Sequence, residues 1–470
     1  MSRIDRSKLL AEYADVHFGD ARVDERLNRI VSQLAGASDD SFPVQMASDA
    51  DQEALYRFLA NPKVVLDKLL EGHRQQTHKR MSGRGVVRIA HDTTEFAFQG
   101  EREGLGVLKG NEKGFFGHFA LAVTADETRE ALGVLGVRPF INTHKRRGLT
   151  ASQQTMKTRV MSREEKKSSR WESLAIDVSN DLPKGVEAIH LMDQEADDYG
   201  AFSAMLEASL RFVIRGDPRR ITAEKMRTNE VLARKPAQIF RNVPISARSK
   251  KQAKKKQHPA RAERVAELSV RAATVTLKRP QSSRDAPLEE LSLNAVYVFE
   301  ASPPPGETAI EWMLFTSEPI DTLQELGEVV DHYRARWVIE EYFKALKTGC
   351  AFEERQLCSF KALVRALGLF VPMAWTLLAL RTLGRETGNR PATDIFSVEQ
   401  IKLLNALLES RRRKPLAQNP TIRDAMLGIA GLGGHIKNNG DPGWHVLGRG
   451  LRRLTEAEEG WNLALRSDQS

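Results

Sequence analysis

Tyr333-Arg-Ala-Arg-Trp-Val-Ile-Glu340-Glu-Tyr-Phe-Lys-Ala-Leu-Lys347 is the stretch on which the fold and chemistry of this chain turn. Neither Pro nor Gly interrupts Glu328 to Thr348, so the segment predicts one helix. At 100° per residue, Tyr333, Arg336, Glu340, Lys344 and Lys347 fall on one stripe. Ala335, Ile339, Tyr342, Phe343 and Leu346 fall on another, mostly apolar one. One side is built to pack, and the other presents a carboxylate among cations. Taken alone, such a stripe reads most plainly as a solvated face with helical ion pairs. Its chemical reading is a site for an anionic substrate that also needs a metal ion, with phosphodiester DNA or RNA the obvious case.

The residues upstream shift the balance. Val86-Val-Arg-Ile-Ala-His-Asp92 reads as a strand ending in a carboxylate, and so does Val186-Glu-Ala-Ile-His-Leu-Met-Asp193. Phe119 to Thr124 and Ala131 to Val137 read as two strands joined by a turn at Asp126-Glu-Thr-Arg129. A charged helix from about Glu164 to Val178, a helix from Tyr199 to Ala208 and a strand from Arg211 to Arg215 complete the series. The order predicts an α/β fold, a mixed sheet with an antiparallel part. Ligands of such sheets gather beyond the carboxyl ends of strands, where both aspartates fall. One such Asp most simply caps a turn. Two of them plus Glu340 form a set able to hold a pair of Mg²⁺ ions, with Mn²⁺ as a substitute. No Gly-rich phosphate loop is present, so no nucleotide cofactor is implied.

Charge is unevenly spread. The chain holds 71 Lys and Arg against 62 Asp and Glu, a formal +9, yet Gly216 to Arg264 alone holds 15 against 4. Arg248-Ser-Lys-Lys-Gln-Ala-Lys-Lys-Lys256 reads as the cationic tip of a β-rich insertion, 217–310. Its strands fall near Ala237 to Ile245, Arg264 to Leu277 and Leu291 to Phe299, and Glu311 to Thr316 continues the pattern. Lys254 and Lys255 in that tip suit phosphate contact without base reading. Aromatics are sparse there, which argues against a single-strand stacking platform.

Residues 1–80 read as helical, with a helix start at Ser48, a stop at Asn61-Pro62 and a further helix from Val65 to Arg80. Arg22 and Arg26 stand on the first of these helices. The two cysteines, Cys350 and Cys358, make neither a disulfide framework nor a zinc pattern, so a reducing cytoplasmic setting is expected. Met1-Ser-Arg-Ile-Asp-Arg6 leads into no apolar run, so no signal peptide is expected. Ala366 to Leu380 is an uncharged run of 15 residues containing Pro372; it is too short to span a bilayer and reads as a buried helix with a kink point. A helix from Val398 to Leu408 ends in Arg411-Arg-Arg-Lys414, and the tail holds Leu432-Gly-Gly434 and Pro442-Gly-Trp444.

Together these motifs resemble the bacterial DDE cut-and-paste transposases of the insertion-sequence group, which excise DNA through hairpins. Tyr333, Arg336, Glu340 and Lys347 resemble that group's Tyr-Arg-Glu-Lys signature. Asp92-Thr-Thr and Asp193-Gln-Glu-Ala-Asp197 are similar to its two Asp motifs. Gly19-Asp-Ala-Arg22 with Arg26-Leu27, and Tyr56-Arg-Phe58 with Asn61-Pro62, resemble its DNA-end-binding domain, though Val23 stands where a relative has a basic residue. Trp312, before Thr316-Ser-Glu-Pro319, and Arg215 match residues near the active site.

The resemblance implies an RNase H-like catalytic domain over 81–387, interrupted by the insertion. It also implies a helical end-binding domain over 1–80 and a helical dimerisation domain over 388–470. Asp92, Asp193 and Glu340 would be catalytic metal ligands. Tyr333, Arg336 and Lys347 would hold phosphates, and Trp312 would receive an extruded base. The implied partners are double-stranded DNA, at both element ends and target, and a second copy in a synaptic homodimer. No membrane is implied, and the setting is cytoplasmic and nucleoid-associated. Two readings compete with this one: an RNase H-like endonuclease without strand transfer, and a non-catalytic protein that binds and regulates DNA ends.

Overall fold

The computed structural model describes residues 6–34, 41–108, 112–141, 169–245, 260–385, 390–436 and 440–467. Its frame is one ten-stranded sheet. The strands are β1 (Val86–Phe98), β2 (Gly106–Val107), β3 (Lys113–Thr124), β4 (Ala131–Phe140), β5 (Glu187–Met192), β6 (Arg211–Gly216), β7 (Ile239–Ile245), β8 (Arg264–Lys278), β9 (Glu290–Glu300) and β10 (Glu311–Thr316). They lie in the order β2-β3-β1-β5-β6-β10-β9-β8-β7, with β4 also on β3. The centre, β1, β5 and β6, is parallel. The flanking pairs are antiparallel. The central strands read as near-continuous apolar runs because both of their faces are covered.

The β3–β4 turn forms where expected. Asp126 Oδ1 accepts from Thr124 Oγ1 at 2.7 Å and from the Thr128 amide at 3.1 Å, and Arg129 takes a left-handed φ of 51°. One expectation needs correction. The strand through Asp92 does not end there, because β1 runs on to Phe98 against β3, with Asp92 opposite Phe119. The insertion strands join the main sheet, since β10 pairs with both β6 and β9. The cationic tip with Lys254 and Lys255 lies outside the described residues.

The expected single helix over Glu328 to Thr348 is broken. One helix spans Leu323–Ala335, a two-residue turn follows at Arg336 and Trp337, and a second helix spans Val338–Lys344. At the break the amides bond three residues back: Arg336 to the Tyr333 carbonyl at 3.1 Å, Ile339 to that of Arg336 at 3.1 Å. The last turn, Ala345–Gly349, then widens to π form. The apolar stripe is nonetheless buried as read, from Ala335 through Leu346. The helix expected from Val65 to Arg80 also divides, into Leu66–Leu69 and Glu71–Met81.

Helix Phe360–Arg385 is the hub of the largest core cluster. It is long and apolar enough to cross a bilayer by length and composition, longer than the uncharged run alone suggests, yet 83% of its most apolar window is buried inside the protein. Pro372 has no amide to give the Gly368 carbonyl, so bonding along this helix is incomplete. Two buried tyrosines bond to nearby carbonyls. Tyr13 donates to that of Leu369, and Tyr342 to that of Val371 at 3.3 Å. The same helix reaches β4, through Trp375 Nε1 to the Ala131 carbonyl at 2.8 Å. It reaches the N-terminal helices through Arg365, which donates to the Leu59 and Val64 carbonyls at 2.8 and 2.7 Å.

Beyond it, helices Val398–Ser410, Ile422–Leu432 and Trp444–Ser467 enclose a second core together with Leu380 and Leu383 from its end. Ser397 caps the first through the Gln400 amide. A Cβ on Gly433 would lie 1.8 Å from the Val446 carbonyl, and one on Gly450 1.8 Å from that of Ile429, so the last two helices meet backbone to backbone.

Candidate active site

The parallel register sets the two aspartates side by side. β1 and β5 pair Val86 with Glu187 and Ala90 with Leu191; two residues further on, Asp92 comes level with Asp193. Residues level across a parallel pair point to the same face, on strands about 5 Å apart. β5 stops at Met192 because the Asp193 carboxylate turns back and accepts the Glu195 amide at 2.8 Å, starting a short 3-10 turn. Asp92 likewise accepts the Thr93 amide, at 2.7 Å.

Arg336, at the helix break, closes the site from the third side. Its guanidinium is buried, donates to Asp92 Oδ2 at 2.8 Å and lies 3.4 Å from Glu340 Oε1. Tyr333, buried one turn earlier, has its ring centre 5.9 Å from that of Trp312. Arg215, at the end of β6, lies close enough for both Asp193 and Tyr333 to feel its charge. Asp92, Asp193, Arg215, Trp312, Tyr333, Arg336 and Glu340 therefore meet at one place, above the carboxyl ends of the parallel strands.

Burial pushes the Asp92 carboxyl up to about 7; Arg336 opposes the rise, and the charges of Asp193 and Glu340 add to it. Burial also raises Asp193 and Glu340, again against the pull of Arg336. For Arg336 itself, burial works against the charge, and Asp92, Tyr333, Asp193 and Glu340 together outweigh it.

A hard divalent ion takes carboxylate oxygens of this kind, poorly solvated and in mutual repulsion, and the Arg336 guanidinium competes with it for their charge. Among the described residues, however, no three His, Cys, Asp or Glu side chains stand close enough together to hold an ion. The carboxylates share Arg336 in this structure. Buried acids recruit the nearest cation, and a strand-and-spacing argument could not foresee that the arginine would turn inward.

The other residues singled out in the sequence are dispersed. Lys347 donates to the Glu95 carbonyl and sits 3.6 Å from Glu353, fastened to β1 beyond Asp92. Lys344 is exposed and pairs with Glu341 at 2.6 Å. Arg22 is exposed beside Asp20 at 3.3 Å, and Arg26 is half-buried on the same helix, Ala21–Leu34. Val23 packs inward on that helix, which explains why it is apolar. Asp197 is structural, receiving the Asp217 amide at 2.7 Å and Arg220.

One supporting layer was missed. On the sheet face opposite Asp92, His91 Nε2 meets His190 Nδ1 at 2.9 Å, and His190 Nε2 meets Ser179 Oγ at 2.8 Å. His118 Nδ1 meets Thr93 Oγ1 at 2.9 Å. The sequence signal was a histidine inside each of three apolar strands.

Comparison with known families bears on the same segments. Residues 6–64 match the family described as Transposase DNA-binding, and residues 175–376 match Transposase DDE domain. The chain carries the DNA-binding and DDE domains of a transposase. Arg22 and Arg26 lie inside the first match, and Asp193 and Glu340 inside the second. Asp92 lies between the two, and its place in the site rests on the β1–β5 register. Among solved structures, this transposase chain is similar to a piggyBac transposase in a synaptic complex with hairpin DNA. The identity is 10% and the TM-score 0.36, over 88% of this chain and 83% of that one, a likeness too loose to carry a conclusion.

Proposed function

We propose that this transposase cuts and joins DNA at the site above β1 and β5, with Asp92, Asp193 and Glu340 as its catalytic carboxylates. The observation that carries this is the parallel register setting Asp92 level with Asp193, with Glu340 tied to Asp92 through Arg336. The three carboxylates would hold Mg²⁺; a bound pair of ions supplies activation of the attacking hydroxyl and charge neutralisation at the leaving oxygen. Arg336 is placed to leave Asp92 and Glu340 for a substrate phosphate, since it already stands between them. Tyr333 and Trp312 offer an aromatic wall beside that phosphate, suited to a base displaced when the strand end folds into a hairpin. Lys347, anchored along β1, extends the cationic track.

The antiparallel hairpin on one side of the parallel centre, with extra strands before the Glu340 helix, supports an RNase H-like core carrying an insertion. Excision through hairpins, 3′-hydroxyl transfer into target DNA, pairing of two ends by a homodimer and a nucleoid-associated setting belong to the same proposal. To test it, Asp92→Asn, Asp193→Asn and Glu340→Gln are assayed with an element-end duplex. Each should bind the duplex like the parent and lose cleavage by at least about a thousandfold. Full Mg²⁺-dependent cleavage by any of the three contradicts the assignment.

A further inference from the structure

Away from the carboxylate site, arginines crowd the carboxyl end of helix Ile422–Leu432. Arg411 and Arg453 both donate to the Leu432 carbonyl, the first at 3.3 Å, and Arg413 donates to that of His435 at 3.3 Å. Arg449, about a turn earlier on the same helix, and Arg452, the residue before Arg453, lie near enough for their charges and that of Arg411 to oppose that of Arg453. Arg412 and Lys414 are exposed in the connecting run. Glu456 answers these cations, 3.8 Å from Arg452. The partial negative charge of a helix carboxyl end, about half a unit, does not balance the rest. Gathering like charges costs stability that packing alone does not require. Three of the guanidiniums are also held in place by backbone carbonyls, so their ordering is settled before any ligand arrives.

This surface is tied to the catalytic helix. Helix Trp444–Ser467 packs on the turn that follows Lys347, where a Cβ on Gly448 would lie 2.6 Å from the Gly349 carbonyl. A rigid polyanion gripped here would be held in fixed relation to Glu340.

Resting on the reading of the chain as a DNA-acting enzyme, we propose that Arg411, Arg412, Arg413, Lys414, Arg449 and Arg453 form a second contact surface for the DNA backbone. It grips duplex phosphates without reading bases, apart from the site where strands are cut. The sequence marks this run only as the end of a helix. The fold adds Arg449 and Arg453 to it from residues distant in the chain.

The test is binding of the full-length protein to an arbitrary 40-base-pair duplex (about 40, long enough to span both surfaces) over a series of salt concentrations. Arg412→Gln/Lys414→Gln/Arg449→Gln removes three exposed cations and leaves the carbonyl-bonded arginines in place. Its log K against log salt should be shallower than that of the parent by roughly 2 to 3, about 0.9 for each phosphate no longer neutralised. Arg412→Gln and Lys414→Gln singly should each show about a third of that change, which separates charge loss from misfolding of the triple variant. Lys184→Gln/Lys361→Gln, with two exposed lysines on other elements, should keep the parental slope. An unchanged slope in the triple variant, with a parent that binds steeply, overturns the proposal; so does an unchanged slope with lost self-association, which would assign the surface to a second copy. A parent that binds no duplex overturns the DNA reading itself and this surface with it.

Discussion

Arg336 is the residue on which the site balances. It is buried among three partly buried acids, bonded to Asp92 at 2.8 Å and more loosely to Glu340 at 3.4 Å. Removing a partner from a buried ion cluster costs about 3–5 kcal/mol, because the remaining charge is stranded. Arg336→Met should therefore destabilise the protein by roughly that amount in urea unfolding, and Asp92→Asn/Arg336→Met should recover a good part of it. Equal losses in the single and double variants would mean the pair is uncoupled. The pH dependence carries a sign. The folded Asp92 carboxyl keeps its proton to about 7 and the unfolded one releases it near 3.8. Between those values the folded state binds more protons, so Asp92 takes away stability as pH rises through the window. In metal-free protein, the parent should lose stability relative to Asp92→Asn from pH 4 to pH 7; a constant difference would contradict the burial of Asp92. The acids were legible in the sequence as candidates, two following apolar strand-forming runs and one on a cationic helix stripe. That Arg336 would turn inward was not, because residue spacing fixes the angle around a helix and says nothing about where that helix breaks.

At the scale of elements, the strands were legible almost throughout, since β-branched and apolar runs between turn residues admit few other readings. Their ends were less so. β1 outruns Asp92 because β3 offers a long partner, a tertiary fact with no local mark. Taken singly, a histidine in an apolar strand reads only as core, so the sequence carries no sign that those of β1, β3 and β5 act together. Here they form a layer. Burial pushes His118 and His190 to about 3, and His91 well below its ordinary value. Unfolded histidines take up protons first as pH falls through about 6.5, so this contribution is complete above that value and is lost on the way toward pH 3. Each adds up to about 1.4 kcal/mol per pH unit, or about 4 kcal/mol per unit for the three. Urea unfolding midpoints should drop steeply between pH 6.5 and 5. A flat profile there would mean the layer is charged or open to water.

Across the whole molecule, helix Phe360–Arg385 joins what the sequence presented as separate parts. It touches the N-terminal helices through Arg365, the sheet through Trp375 and the Glu340 helix through Tyr342. An apolar run announces a buried helix, and the sequence showed that much; which elements it would bind together depended on polar tips that reach distant carbonyls. Arg365→Met removes two bonds from a charged donor to the Leu59–Val64 turn, worth about 1.5–3 kcal/mol each. Limited proteolysis should then cut near that turn at least about tenfold faster than in the parent, with the sheet still protected. Equal rates would show that the turn is held by other contacts.

The central claim is that Asp92, Asp193 and Glu340 serve one ion-dependent reaction. It is tested most directly by replacing each in turn with cysteine and comparing cleavage of an element-end duplex in Mg²⁺ and Mn²⁺. Thiolate ligands accept the softer ion and reject the harder one. Each variant should be inactive with Mg²⁺, and at least one should regain cutting with Mn²⁺. A variant that cleaves as fast as the parent in Mg²⁺ would take its carboxylate out of the site and contradict the account.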